Sequence, residues 1–412
     1  MTLTLTVHRG TQQIGGSCIE IAHPDGDRLI LDAGRPLDAP EGATGLLPAS
    51  LDRTRPATVL ISHPHQDHWG LVEELPPSWP IWTGSGSAKL IAITGDVTRR
   101  PLTQTFETWD SRSGPFMIGP FTVTPILTDH SAFDAYMLLV ESAGKRLLYT
   151  GDFRRHGRKS ALVDRIMAHP PANIDVLLTE GTNLESDKPV KTEDEIEHDF
   201  AELFARTKGR VFVSWSGQNI DRTVTIYRAA KRTGRTLAID LYTADVLDRI
   251  SEGTGLPRAG FPNLKVVVTA GLGSNYRSQD RENFVKRMVP YGISAKRLEG
   301  SRHVVMLRRA LIRDYQSAGV APTADDAFNF SMWRGYLSEP YHSEPLEWCR
   351  AAGAEIAYVH TSGHASPADL RAFAAAVRPK TVVPVHGVKW DEESHGFGAV
   401  RRLADAETMV VL

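Results

Sequence analysis

The sequence predicts an α/β fold in which a layered sheet domain is interrupted by a doubly wound α/β unit. Three observations carry that reading. Through about residue 185 the apolar residues fall into short alternating or continuous runs bounded by Gly, Pro and Asp: "LTLTVHRG", "SCIEIAH", "DRLILDAG", "ATVLISH", "PIWTG", "FTVTPILTDH", "AYMLLVES" and "KRLLYTGDF". From 186 to 356 the texture changes to helical patterns such as "EDEIEHDFAELFART" and "NIDRTVTIYRAAKRTG". These alternate with the strands "RVFVSWS", "RTLAIDL", "NLKVVVT" and "SRHVVML". Beyond 356 strands return in "IAYVHTSGH" and "TVVPVHG", with the helix "SPADLRAFAAAVRP" between them. With no repeat, low-complexity tract or Pro-rich linker, the middle unit reads as an insertion. The expected organisation is a sheet domain over 1–185 and 357–412, with an insertion over 186–356. A further helix is expected just after His68.

Composition limits the function classes. At 412 residues, 41% hydrophobic and 23% charged, this is an ordinary globular composition, long enough for more than one core. The start "MTLTLTVHRG" is a strand pattern rather than a leader, and no run of about 18 apolar residues occurs, so no membrane span is expected. Two cysteines, Cys18 and Cys349, exclude a disulfide framework or a cysteine-based zinc cluster and fit a cytoplasmic protein. The formal net charge is -2, yet residues 201–313 hold 21 Lys plus Arg against 9 Asp plus Glu, a local +12. That asymmetry is either a solvated helical surface or an electrostatic footprint for a polyanion.

The chemistry is concentrated in "ISHPHQDHWG". With 15 histidines in the chain, H-x-H-x-D-H arises by accident on the order of once in a thousand such sequences. It follows the apolar strand "ATVLIS", where loops on a rigid sheet carry function. His63 and His65 can converge on one ion, and Asp67 and His68 on a second. A dinuclear site needs further ligands at strand ends: His130 ends "FTVTPILTDH", Asp152 ends "KRLLYTGD" and is placed to bridge, and His386 follows "TVVPV". His8, His23, His156, His169, His198, His303, His342 and His395 read as surface or packing residues, with His360 undecided.

In this order, "LILDAG", "HPHQDH", "TDHS", "YTGD" and "VHG" resemble the metallo-β-lactamase fold. "LLTEGTN" with Glu180, "HTSGH" with His364 and "PVHG" with His386 resemble the three motifs of the beta-CASP nucleases, most of all the ribonuclease J type. The resemblance covers nearly the whole chain and implies an αββα sandwich carrying an inserted beta-CASP domain, with nucleic acid in the cleft between them. It implies two Zn2+, with Mn2+ as the alternative: one held by His63, His65, His130 and Asp152, the other by Asp67, His68, Asp152 and His386. Asp32 would orient a histidine ligand. Histidine at position 386, where DNA-acting members usually carry an apolar residue, favours RNA.

The implied reaction is hydrolysis of RNA phosphodiesters by a two-metal-activated hydroxide attacking in line, giving 5′-phosphate and 3′-hydroxyl ends. Asp67 and Asp152 act in the metal centre, and His364, kept protonated by Glu180, donates to the leaving 3′ oxygen. A metal ligand or plain phosphate contact is the other reading of His364. Phosphate contacts are expected from Ser362 and Gly363, from Ser214 and Ser216 in "SWSGQN", and from Arg154 and Arg155 in "RRHGRK". Trp215, Trp333, Tyr336 and Tyr341 are either stacking surfaces for bases or core residues. Only 26 residues follow His386, leaving no room for the C-terminal domain of ribonuclease J, so oligomerisation is not carried over, and exonuclease and endonuclease action stay equally open. The alternatives are a hydrolase of small thioesters, lactones or phosphodiesters, and a non-catalytic RNA-processing scaffold; the complete ligand set argues against the scaffold.

Overall fold

A computed structural model describes residues 2–100, 102–186 and 188–412. The chain divides into two compact units: one of 1–92, 101–189 and 363–412, the other of 93–100 and 190–362. The sequence places 93–100 in the sheet domain, whereas they fall in the second unit; of these, 93–98 are the end of helix α1, Ser85–Thr98.

In the first unit the strands follow the alternating patterns. They are β1 Thr4–Arg9, β2 Cys18–Ala22, β3 Arg28–Leu31, β4 Thr58–Ile61, β5 Ile81–Gly84 and β6 Phe106–Trp109, then β7 Phe116–Ile118, β8 Phe121–Leu127, β9 Tyr136–Ser142, β10 Lys145–Tyr149 and β11 Val176–Thr179. Helix α2, Ser160–Ala168, lies between the last two. After His68 there is no long helix: a four-residue helical turn, Gln66–Trp69, contains the histidine, and a single 3₁₀ turn follows at Val72–Glu74. Gly70 and the Pro76-Pro77 pair end the helical pattern there.

The second unit alternates helix and strand, as the 3.6 and 2 periodicities require. Its order is α3 Glu193–Arg206, β12 Val211–Ser214, α4 Ile220–Arg232, β13 Leu237–Asp240, α5 Leu241–Ile250, β14 Leu264–Val267, α6 Ala270–Arg277 and α7 Glu282–Met288. There follow β15 Gly292–Ile293, β16 Val304–Met306, α8 Arg309–Ser317, β17 Ala327–Phe330, α9 Pro340–Ala351 and β18 Glu355–Ala357. The chain then re-enters the first unit with α10 Pro367–Val377, β19 Thr381–Pro384 and β20 Thr408–Val410.

Among the described residues the first unit has two sheets, ordered β20-β1-β2-β3-β4-β5-β6 and β19-β11-β10-β9-β8-β7. Their inner faces share one core, in which Leu5, Val7, Ile19 and Leu29 meet Leu138, Val140, Leu147 and Leu178. The outer face of the second sheet is covered by Val163 of α2 and Leu370, Phe373 and Val377 of α10. The outer face of the first is covered by Trp69, Leu71, Trp79 and Ile91 of α1. This is an αββα sandwich, and chain ends β1 and β20 pair antiparallel within it. The second unit is one parallel sheet, β15-β14-β13-β16-β12-β17-β18, and its continuous burial is what helices on both faces require. Among the described residues no helix is long and apolar enough to cross a membrane.

Candidate metal centre

The centre forms where strands of both sheets of the first unit end. β4 delivers "SHPHQDH" directly after Ile61, and that loop is laced to the segment after β3. Ala33 N–H donates to His68 O at 2.8 Å, Arg35 N–H to Gln66 O at 3.0 Å and Ser17 N–H to Asp67 O at 3.1 Å. Gly34 is the residue that allows this approach, because a Cβ there would collide with the Asp67 carbonyl. His130 follows β8, Asp152 follows β10, Glu180 follows β11 and His386 follows β19. Strand ends therefore gather residues that are far apart in sequence, and all of them lie in the first unit.

Two ligand sets result: His63, His65, His130 and Asp152, and Asp67, His68, Asp152 and His386. Within each set the candidate ligand atoms lie within 4.8 Å of one another. Asp152 belongs to both. Its Oδ2 lies 3.2 Å from His68 Nε2 and 3.7 Å from His63 Nε2, and its Oδ1 is 3.5 Å from His386 Nδ1. His65 Nδ1 faces His130 Nε2 at 3.1 Å, and His386 Nε2 faces Asp67 Oδ2 at 3.1 Å.

The backs of four of the five histidines are held. His68 Nδ1–H donates to Asp32 Oδ2 at 2.7 Å, and His130 Nδ1–H donates to the Gly363 carbonyl at 2.6 Å. His63 Nδ1 lies 3.1 Å from Ser62 Oγ, which donates to Asp32 Oδ2 at 2.9 Å. His386 Nδ1 lies 3.0 Å from Thr182 Oγ1. These bonds fix tautomers that turn the opposite nitrogens, as lone pairs, into the site. Asp32 is fully buried, sits in the left-handed region at φ 63° and also accepts from Tyr149 Oη at 2.6 Å. It thus orients His68 directly and His63 through Ser62.

Whether these residues suit a cation is decided by what they leave unsatisfied. His63 Nε2, His68 Nε2 and both carboxylate oxygens of Asp152 are buried without a hydrogen-bond partner. Orphaned buried polar atoms are costly, and four of them converging on one point call for a positive ion. Protonation agrees. Burial, with neighbouring imidazoles, holds His63 and His130 well below the usual histidine range, and burial pushes His65 down to about 4. Burial raises Asp152 and Asp67, but the histidines around them outweigh it and keep both ionised. Burial lowers His68 too, but the charges of Asp152, Asp32 and Asp67 outweigh it and hold that imidazole well above the usual range, so a cation there displaces its proton. The neutral imidazoles of the first set with ionised carboxylates are the donor set of a divalent metal.

Beside these sets lies a third grouping, Asp152, Glu180, His364 and His386. Glu180 is fully buried; its Oε1 accepts from Phe153 N–H at 2.9 Å and its Oε2 lies 2.9 Å from His364 Nδ1. Burial lowers the His364 pKa, but the charges of Glu180 and Asp152 outweigh it and hold the imidazole up, at about 9.

Other expected contacts fare differently. Arg154 is fully buried with Nε 3.5 Å from Asp129 Oδ1, so it fixes the loop after Asp152 and has no surface to offer a phosphate. Ser214 is buried and donates to the Leu307 carbonyl at 2.6 Å, a tie within the parallel sheet rather than a phosphate contact. Gly363 serves through its carbonyl on His130. Arg155 is engaged by Asp164 at 2.6 Å and Asp369 at 3.5 Å. Ser216 is exposed and Ser362 half-buried. Trp215 is core, at 1% exposure, whereas Trp333, Tyr336 and Tyr341 are exposed. His360 packs with its Nδ1 3.2 Å from Arg222. Sequence reasoning missed Ser62, Tyr149 and Thr182; their adjacency to His63, Asp152 and Glu180 was the only signal.

Residues 12–180 match the family described as the metallo-beta-lactamase superfamily, and residues 353–393 match the Zn-dependent metallo-hydrolase RNA specificity domain. These matches, with the likeness to ribonuclease J, support the metallo-β-lactamase superfamily and its beta-CASP, ribonuclease J-like group. The metallo-hydrolase match and the His/Asp clusters support binding of divalent metal. It is 24% identical over 408 residues to ribonuclease J of Helicobacter pylori strain 26695, covering 94% of this chain and 56% of that protein. It is 23% identical to ribonuclease J of Sinorhizobium meliloti, covering 92% and 69%, and 25% identical to that of Mycobacterium tuberculosis H37Rv, covering 93% and 69%. The chain thus spans little more than half the length of the H. pylori relative. A crystal structure of a protein of unknown function from Enterococcus faecalis V583 shares the fold, with a TM-score of 0.79 at 18% identity and full coverage of both chains.

Proposed function

We propose that the chain is a metal-dependent ribonuclease that hydrolyses phosphodiesters of single-stranded RNA to 5′-phosphate and 3′-hydroxyl ends. In this reading the two ligand sets hold two Zn2+, and the protein acts in the cytoplasm. Residues 186–356 form the beta-CASP insertion. The observation that carries the reading is the Glu180–His364 pair beside Asp152. A thioester hydrolase, whose thiolate leaves without a proton, has no need of a buried carboxylate holding a protonated imidazole next to its ligands, whereas the 3′ alkoxide of a phosphodiester must be protonated. The match of 353–393 to an RNA specificity domain and the similarity to ribonuclease J support the same substrate.

Bound at these ligands, a pair of divalent cations supplies an activated water and neutralises charge gathering on the phosphoryl oxygens. The residues of the chain do the rest. Asp32, Ser62, Thr182 and the Gly363 carbonyl hold the histidine rings, so little reorganisation accompanies the reaction. Glu180, anchored by Phe153 N–H, takes His364 Nδ1–H and directs Nε2–H outward. Glu180 keeps the Nδ1 proton of His364 while the Nε2 proton passes to the leaving 3′ oxygen.

The test is cleavage, by the metal-loaded protein, of one RNA labelled at either end and carrying a 5′ monophosphate, triphosphate or hydroxyl. Products with 5′-phosphate and 3′-hydroxyl ends are expected. The label pattern separates exonuclease from endonuclease action. Untouched RNA beside hydrolysed thioesters would reject the reading.

A further inference from the structure

The second unit has a cavity of about 290 Å³ at the carboxyl ends of its parallel strands. Trp215 follows β12, Tyr242 follows β13, Arg308 follows β16, Phe330 ends β17, and Tyr341 and His342 of α9 close one side. The strand order explains the opening. The chain runs outward from β12 through β13 and β14 to β15, then returns to insert β16 between β13 and β12. Crevices at the carboxyl ends of such sheets, where strand order reverses, are where ligands bind.

Its lining suits a flat heterocycle more than an anion. Tyr336 stacks on His342 at 5.3 Å and 28°, Trp333 meets Tyr336 edge-on at 5.3 Å, and Tyr341 meets His342 edge-on at 5.1 Å. Trp333, Tyr336 and Tyr341 are 64%, 45% and 46% exposed, an aromatic surface left in water beside the opening. The one cation in the lining is already spent. Arg308 lies over the Tyr242 ring at 5.0 Å and pairs with the buried carboxylate of Asp240, whose Oδ1 caps α5 through Thr243 N–H at 2.8 Å. A cavity with aromatic walls and a neutralised floor favours stacking over phosphate capture. Residues 201–313 of the second unit carry a basic excess, 21 Lys plus Arg against 9 Asp plus Glu, that favours a polyanion in general.

We infer that this cavity is a base-binding subsite, taking one nucleobase stacked on Tyr341 with its edge toward His342, and with Trp333 and Tyr336 as the next aromatic surface. The inference deepens the ribonuclease reading by giving the second unit its own contact with the bases of the strand. A base reaches it either within an RNA strand or as a free nucleotide.

The test is fluorescence anisotropy in chelator, where nothing is cut, with labelled oligouridylate, a base-free ribose-phosphate strand of equal length, and AMP as competitor. Tyr341→Ala, at an exposed position in the first turn of α9, should weaken oligouridylate binding about tenfold, with Tyr341→Phe restoring it. The base-free strand should bind both proteins equally. Displacement of oligouridylate by AMP from wild type assigns the pocket to free nucleotides as well; no displacement assigns it to the strand. Equal oligouridylate binding by wild type and Tyr341→Ala, with equal thermal stability, overturns the inference. RNA that is bound but never cut by the metal-loaded wild type would sink the ribonuclease reading alone.

Discussion

The Arg222 cluster of the second unit and the Asp152 cluster of the first are both buried and both built from charged groups, yet they are finished differently. Arg222, at 0% exposure, is fully employed. It donates to Glu193 Oε1 at 3.0 Å, to the Ser331 carbonyl at 3.1 Å and to Ser331 Oγ, and Thr225 Oγ1 completes Glu193 at 2.6 Å. Asp152 has both oxygens without a hydrogen bond, as have the facing nitrogens of His63 and His68. The first cluster uses its buried charges to tie α3 and α4 to the segment after β17. The second leaves donor atoms open at a cost to stability, which is the mark of a site awaiting a ligand.

That contrast can be broken by substitution, beginning with the largest effect. His364→Ala should lower kcat on RNA by about 10² to 10⁴ while metal content is kept. On RNA whose scissile 3′ oxygen is replaced by sulfur, a leaving group that needs no proton, the defect should largely vanish. Equal loss on both substrates would show that His364 is not the acid. Arg222→Ala should cost about 3 to 5 kcal/mol of stability, since it strands Glu193 in the interior; a loss under about 1 kcal/mol by chemical denaturation would mean that the pair is not the structural element described.

Asp32→Asn probes the boundary between the two kinds of cluster, because Asp32 is itself fully satisfied but serves the open centre. Metal affinity should fall about 10- to 100-fold, and the metal-free protein should lose about 1 to 3 kcal/mol as well, because the amide sets a donor against those of Ser62, His68 and Tyr149. An unaltered affinity in competition with a chelator would separate Asp32 from the ligands. The smallest effect is expected at Glu20. Burial pushes its carboxyl up, but hydrogen bonds from His8 at 3.2 Å and Arg28 at 2.6 Å outweigh that and hold it at about 2. A depressed carboxyl stabilises the fold above its unfolded value near 4.5, and the contribution is lost as pH falls from there through about 2. Glu20→Gln should therefore remove about 2 kcal/mol at pH 7 and progressively less in acid. A deficit that persists at low pH would refute the charge interpretation.

Much of the centre was legible in the sequence because its ligands are scarce residue types at strand ends. The His63 to His68 spacing, Asp152 and His386 are recognisable without coordinates. Ser62, Tyr149 and Thr182 were not, since hydroxyls are common on strands and acquire a role only when tertiary packing places them behind a ligand. Arg154 and Ser214 show the reverse failure: suitable chemistry beside a motif says nothing about burial. The expected helix after His68 failed because Gly70 and two prolines cut the pattern, and 93–100 was assigned to the wrong unit because a helix carries no sequence mark where its packing partner changes. Strand alternation, by contrast, located most of the sheet, because period two survives any tertiary arrangement.

The most direct test of the account is metal counting by atomic emission on wild type and Asp152→Ala, with circular dichroism on the same samples. Asp152 is the one residue shared by both ligand sets. The account predicts two divalent cations per chain in wild type and fewer than one in Asp152→Ala, with the spectra superimposed. Equal metal content in the two proteins, or a wild type that binds none, would contradict it.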